Sequence, residues 1–425
     1  MDVTQLILFL VTIIVLTRFA AVLSRRLGIP AVTLQLLTGA LLGPSLFNLL
    51  GTPIVLGTWG STSPTPLHGV LKVLGEVGLI QLMFFAGLRT DWRELGKDFK
   101  PILSLGVLVF GFAAVSVALV SRWFVDRSAE AMALGAIMGA SSFGISAYNF
   151  TEMKCSRSNV ENTIPGVGAL AGLFSILVMV ASLTTNYGMA FGGFKAAVAV
   201  SWFLGKLVMF FAISYFLMSR YLNRIARTGF EKRPRQTLIG YLLLVAALYA
   251  WGAMHFGSFA AVVVSSLGGG LLGIYNVEIR EKITKGFGSV LASIPVGLFF
   301  VTLGMEVNFR QMKGQGIFFM VVLIVVVVAK LAGSWISTRR VPGSPEEQVL
   351  VAIGNLPQGE MGTLIAAYSF SRGLLTPSSF NIAITAVLLL TMLAPVLMKM
   401  TCYAPFPLNG RGSGKGRFQP SMEKR

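Results

Sequence analysis

The chain has 425 residues, of which 54% are apolar and only 12% charged. That balance excludes a soluble globular protein, which needs far more polar surface, and points to a polytopic membrane protein. The formal net charge of +18 would suit nucleic acid, but its distribution along the chain excludes that partner.

Apolar runs long enough to span a bilayer occur thirteen times, near 4–24, 29–50, 67–88, 101–122, 130–150, 163–185, 196–218, 237–255, 258–274, 286–305, 316–337, 347–370 and 378–398. No basic residue precedes the first run, and Arg25 and Arg26 follow it, which places the N-terminus outside. With that orientation the cytosolic loops and tail hold 25 of the 35 basic residues, and the outer loops hold 5. The basic excess is therefore topological, the C-terminus is cytoplasmic, and the membrane is the cell membrane. The first run lacks a basic leader and is long enough to stay as a span rather than be cleaved.

Four segments follow from this pattern. Residues 1–218 form the first half of the transmembrane domain with spans one to seven, and 219–236 is a basic cytosolic linker. Residues 237–400 form the second half with spans eight to thirteen, and 401–425 is a basic, Gly-rich, disordered tail. A split into two such halves predicts an inverted repeat. Within the second half, 275–289 reads as an amphipathic helix on the inner surface. The tail's "GSGKG" has neither the strand nor the helix that a phosphate loop needs. "NFT" at 149–151 matches a glycosylation sequon but falls at a membrane segment. The two cysteines, Cys155 and Cys402, both fall by cytosolic stretches, so no disulfide is expected, and two histidines are too few for a metal cluster. With no nucleophile–base pair, metal cluster or phosphate loop, the sequence predicts neither an enzyme nor a cofactor.

Interrupted helices mark transport sites, because unwound backbone inside a membrane is tolerable only where it is buried or lines a cavity. Two stretches qualify: "GAIMGASSFGISAYNF" (135–150), with Ser141 and Ser142 at mid-membrane, and "AIGNLPQGEMGTLIAAY" (352–368), with Asn355, Pro357 and Glu360 breaking an apolar run. Close helix packing alone can account for the small residues of the first. It does not account for Pro-Gln-Gly-Glu in the second. In "LIVVVVAKLAGSW" (323–335) Lys330 follows a purely aliphatic run. A charged amine near mid-span is costly and needs a partner, unless it snorkels to the interface.

On these stretches the chain resembles the monovalent cation:proton antiporter family, second branch, which includes sodium/proton and potassium/proton antiporters. "LGIPAVTLQLLTGALLGPSLFN" (27–48), "LGEVGLIQLMFFAGLRTDWREL" (74–95), "ASSFGIS" (140–146), "VGLFFVTLGMEVNF" (296–309) and "LPQGEMGTLIA" (356–366) carry the likeness. The resemblance implies an all-α membrane fold of about thirteen helices, with two discontinuous helices crossing in a mobile core beside a dimerisation panel. It also implies alternating access, a homodimer, and exchange of protons for a monovalent cation. Lys330 is similar to the family's membrane lysine, which pairs with an aspartate on the family's fifth helix.

That aspartate is missing. In "PGVGALAGLFSILVMV" (165–180) the acidic pair falls on Ala171 and Gly172, and from 162 to 254 the one carboxylate is Glu231 of the linker. A dehydrated cation needs oxygen ligands and normally a counter-charge; Ser141, Ser142, Ser175 and backbone carbonyls offer oxygens but no charge. Three outcomes stay open. Another carboxylate substitutes, Glu360 first, with Glu76 or Glu152 behind it and Glu306 weaker still; Glu76 reads more readily as structural. Alternatively Lys330 itself carries the proton. Finally, cation coupling is lost, and Lys330 serves an anionic or organic solute, or the protein only senses or scaffolds.

Overall fold

The computed structural model describes residues 3–27, 31–44, 66–89, 99–153, 158–186, 294–305, 314–338 and 345–403, with isolated positions between 198 and 244. Apart from Arg220 and Leu244, spans eight and nine, the basic linker, the surface helix at 275–289, Glu306 and the tail beyond Tyr403 lie outside the described residues.

Among the described residues the architecture is all-α, with twelve helices. They are α1 (Val3–Leu27), α2 (Ala31–Leu42), α3 (Pro66–Arg89), α4 (Phe99–Ser121), α5 (Ser128–Gly139) and α6 (Phe143–Met153). The rest are α7 (Ser158–Asn186), α8 (Ile294–Met305), α9 (Gly316–Thr338), α10 (Pro345–Gly354), α11 (Gly359–Ser371) and α12 (Pro377–Tyr403). Six segments are long and apolar enough to cross a bilayer: Ile7–Leu27, Phe99–Ser121, Ser128–Asn149, Thr163–Ser182, Gly316–Ser337 and Pro377–Cys402. The protein is thus multi-pass.

Burial divides these spans by role. In Ile7–Leu27 only 22% of the apolar window is buried, so α1 turns most of its surface outward. In Ser128–Asn149 the figure is 94%. That is the segment whose helix breaks between α5 and α6, and burial in protein is what makes a break tolerable at membrane depth.

The helices pack as two groups. One holds α1, α2, α3 and α8; the other is built around α4, α5, α7 and α9, with α6, α10, α11 and α12. In the first group, glycine lets backbones meet: a Cβ at Gly39 or Gly78 would lie 2.0 Å from the carbonyl oxygen of Val301 or Pro295 on α8. In the second, α9 presses Gly333 against the backbone of α4, where a Cβ would lie 2.7 Å from Leu108 O. The opposite face of α9 carries Ile317, Met320, Ile324, Val328 and Trp335, all exposed at helical spacing, as a lipid-facing stripe requires. Val322, Val326, Ala329 and Lys330 face inward.

One expectation is corrected. Cys402 is disulfide-bonded, and Cys155 is the other cysteine of the chain. Cys402 packs against the cluster of Ile164, Val167, Leu350 and Met398, which brings the end of α12 beside the start of α7. Nothing in the sequence places these stretches side by side, because their proximity is set by tertiary packing.

Candidate functional site

The two interruptions arise from local chemistry. Between α10 and α11, Pro357 has no N–H to donate and biases Leu356 away from helical geometry. Gly359 then restarts the helix at φ +36°, a left-handed conformation that suits glycine. A Cβ at Gly359 would lie 2.1 Å from Ile145 Cδ1, so the two broken helices touch here. Between α5 and α6 the small residues Ala140, Ser141 and Ser142 form the break, and Ser142 Oγ accepts the Ile145 N–H at 2.9 Å as a cap on α6.

The breaks cross and bond to one another. The Ser142 N–H donates to Pro357 O at 2.8 Å, Ser141 Oγ to Asn355 O at 2.8 Å, and Ser146 Oγ to Gly354 O at 3.0 Å. Gln358 Nε2 donates to Met138 O at 2.7 Å, and the Gly359 N–H to Thr391 Oγ1 at 3.0 Å.

Lys330 enters this crossing from α9, fully buried. Its Nζ donates to Ser141 Oγ at 3.1 Å, to Asn355 O at 3.0 Å and to Ala140 O. An ammonium has three donors, and all three are used. Ala140 O lies at the C-terminal end of α5 and Asn355 O at that of α10. Each such end carries roughly half a negative charge, so the pair offers about one unit to a single ammonium. Among the described residues Lys330 is therefore held by two helix-end carbonyls and a hydroxyl rather than by a carboxylate, and it does not snorkel.

The remaining sequence candidates fall in several places. Ser175 is buried on α7 but donates to its own helix at Ala171 O, 2.7 Å away. Ala171 packs with Phe110 and Ala114 of α4. Gly172 faces the crossing, one turn on from Gly168, whose Cβ would lie 2.9 Å from Ser142 O. Opposite Gly172 stands Met361, with Cγ and Cε each 3.3 Å from where a Cβ would be. Thus an apolar side chain occupies the space an acidic residue at 172 would enter. Glu360 falls in the first turn of α11 and Glu152 in the last turn of α6. Glu76 is exposed and lines a cavity of about 400 Å³ between the two helix groups, with Thr302, Thr363, Phe299, Phe370 and Phe380.

Sequence reasoning missed three participants. Ala140 contributes through its backbone, which no side-chain pattern signals. Met361 is an ordinary apolar residue until α7 is seen against α11. Gln358 sits in a motif that stood out, yet its anchoring role on α5 depends on the crossing; Gln358 Oε1 and Asn355 Oδ1 both stay buried without a hydrogen-bond partner.

Comparison with known proteins agrees with this fold. The chain matches the family described as sodium/hydrogen exchanger, transmembrane, over residues 10–402. It is 25% identical to a Na(+)/H(+) antiporter of Enterococcus hirae, covering 91% of this chain and 95% of that one. It is 26% identical to the Na(+)/H(+)-K(+) antiporter GerN of Bacillus cereus, covering 92% and 94%. Among solved structures, the sodium proton antiporter MjNhaP1 of Methanocaldococcus jannaschii at pH 8 superposes with a TM-score of 0.68 at 17% identity, covering 95% of this chain and 99% of that one. The fold is shared, two interrupted helices cross around a buried lysine, and the match runs nearly end to end: the chain belongs to the sodium/hydrogen exchanger family.

Proposed function

We infer that the protein is a secondary transporter that exchanges a monovalent cation for protons by alternating access, with the helix crossing as its transport site. The carrying observation is the buried Lys330 ammonium on the oxygens of two facing half-helix ends. A pocket that binds one positive charge inside the membrane has the chemistry to exchange that charge for another. The relatives named as Na(+)/H(+) antiporters support the same reading. The cavity between the helix groups supports an access route along their boundary, with Glu76 at its wall.

An anionic or organic solute held by Lys330 is disfavoured by the same bonds, since all three ammonium donors are taken by protein oxygens. Ser141 and Asn355 stand beside Lys330 as the site's residues, and Glu360 is the alternative acid. We place the protein in the cell membrane with the N-terminus outside, in the four segments given by the basic loops, and as a homodimer in line with its family.

The test is proteoliposome flux with an enclosed pH-sensitive dye under imposed sodium, potassium and chloride gradients. Proton movement driven by sodium or potassium, absent from protein-free vesicles, is the expected result. No cation response from folded protein would overturn the reading.

A further inference from the structure

We propose that Thr391 on α12 is a positioning residue for cation exchange: its hydroxyl fixes the start of α11 and with it the unwound stretch at 355–358. The proposal rests on the antiport reading and adds to it a residue that stands outside the two interrupted spans.

An unwound stretch inside a membrane has no ladder of its own, so its polar groups must be met by neighbouring elements. On one side the second interruption is held through its carbonyls. Gly354 O, Asn355 O and Pro357 O accept from Ser146 Oγ, Ser141 Oγ and the Ser142 N–H, and Lys330 Nζ adds a bond to Asn355 O. Those partners lie on α6, on the break before it and on α9. On the other side stands α12. The Gly359 N–H opens α11 and has no acceptor within its own helix; it donates to Thr391 Oγ1 at 3.0 Å.

Thr391 is suited to take that bond. It is fully buried, and its hydroxyl proton is committed to Val387 O at 2.6 Å, which leaves the oxygen's lone pairs to accept. Val387 itself meets the next turn of α11: a Cβ at Gly362 would lie 2.9 Å from its Cγ2. The start of α11 is thus seated against one turn of α12, from Val387 to Thr391. Four residues on, Pro395 has no N–H to offer the Thr391 carbonyl, which loosens the α12 ladder at the turn that takes the bond. Gly359 depends on an outside hold. It sits at φ +36°, and a Cβ there would clash with Ile145, so no side chain of its own can anchor it.

The consequence for transport runs through Asn355. Its carbonyl lies just upstream of Gly359 in the same unwound stretch, so releasing the Gly359 N–H frees the far end of that stretch. Cation binding then weakens, whereas the shift of the helix groups is made elsewhere, along α3 and α8. The loss therefore falls on KM rather than on the maximal rate.

The experiment measures cation-driven proton flux in proteoliposomes over a series of sodium or potassium concentrations. Beside it, mass spectrometry reads amide exchange of a peptide covering 356–362. Thr391→Val keeps the shape and removes the acceptor. It should raise the apparent KM and speed the amide exchange by about fivefold or more, with the maximal rate within about twofold of wild type. Thr391→Ser keeps the acceptor and should match wild type in all three readings. Thr391→Ala carries the same expectation as Thr391→Val if melting in detergent shows that the valine variant does not fold. A folded valine or alanine variant with unchanged KM overturns the proposal, as does a serine variant that loses as much as valine. A lowered melting temperature with KM and amide exchange unchanged also overturns it, because the hydroxyl would then only pack the helices. Wild-type vesicles without cation-driven flux sink the antiport reading and this role with it. Wild-type flux beside an unchanged Thr391→Val sinks only the role of Thr391.

Discussion

Gly168 and Gly172 stand one turn apart on the same face of α7 and meet different neighbours. At Gly168 an added Cβ would press on the backbone of Ser142 at 2.9 Å; at Gly172 it would meet the flexible thioether of Met361 at 3.3 Å. Backbone cannot yield without moving the crossing, whereas a methionine can change rotamer. Gly168→Ala is therefore expected to cost about 1–3 kcal/mol. Gly172→Ala should be close to neutral, since the lost glycine also relieves a helix penalty of about 0.5–1 kcal/mol. Thermal melting of both variants in detergent checks this, and equal destabilisation would contradict the assigned faces.

Among the helices, one end of the core is fastened by Glu130. Its Oε1 accepts the Thr376 N–H and the Thr376 hydroxyl, each at 2.8 Å, at the start of α12. Arg127 bonds Glu130 Oε2 at 3.3 Å and Gly373 O at 3.0 Å, so one pair of residues ties α5 to the turn before α12. Glu130 is only 3% exposed, and its loss takes the acceptor from the Thr376 N–H and one acceptor from the Thr376 hydroxyl. Hydrogen bonds to charged groups are worth about 1.5–3 kcal/mol each, so Glu130→Ala should destabilise by at least that much, with Glu130→Gln between it and wild type. Hydrogen exchange should rise first in the opening turn of α12; an unchanged pattern would argue against the fastening. At the opposite end of α12, Cys402 is disulfide-bonded. Thiol labelling of the unfolded protein should therefore find no free cysteine until reductant is added, and full labelling without reductant would refute the bond.

In the molecule as a whole, the cavity lies between α3 and α8 on one side and α11 and α12 on the other. Alternating access then means that the group around the crossing shifts against the group of α1, α2, α3 and α8. Thr302 on α8 and Thr363 on α11 both line the cavity, one from each side of that boundary. A Thr302→Cys/Thr363→Cys pair joined by a bifunctional maleimide should lose most of its flux while cation binding in detergent persists. Unimpaired flux after complete cross-linking would show that this boundary does not move.

Much of the architecture was legible before folding, for a definite reason. Bilayer thickness sets the length of an apolar span, and proline with its neighbours disrupts helix locally, so the breaks at 140–142 and 355–358 are written into adjacent residues. The cost of a charge in hydrocarbon likewise singles out Lys330 without any structure. What sequence alone left open was its partner, because the holding groups are a backbone carbonyl at 140, a hydroxyl at 141 and a backbone carbonyl at 355, brought together only by the crossing. Carbonyls are common to every residue, and their negative potential depends on which helix ends where. The tertiary structure decided that two such ends converge on one lysine, that Met361 fills the space beside Gly172, and that Cys402 is bonded. Each is a contact between segments distant in the chain, set by packing rather than by local pattern.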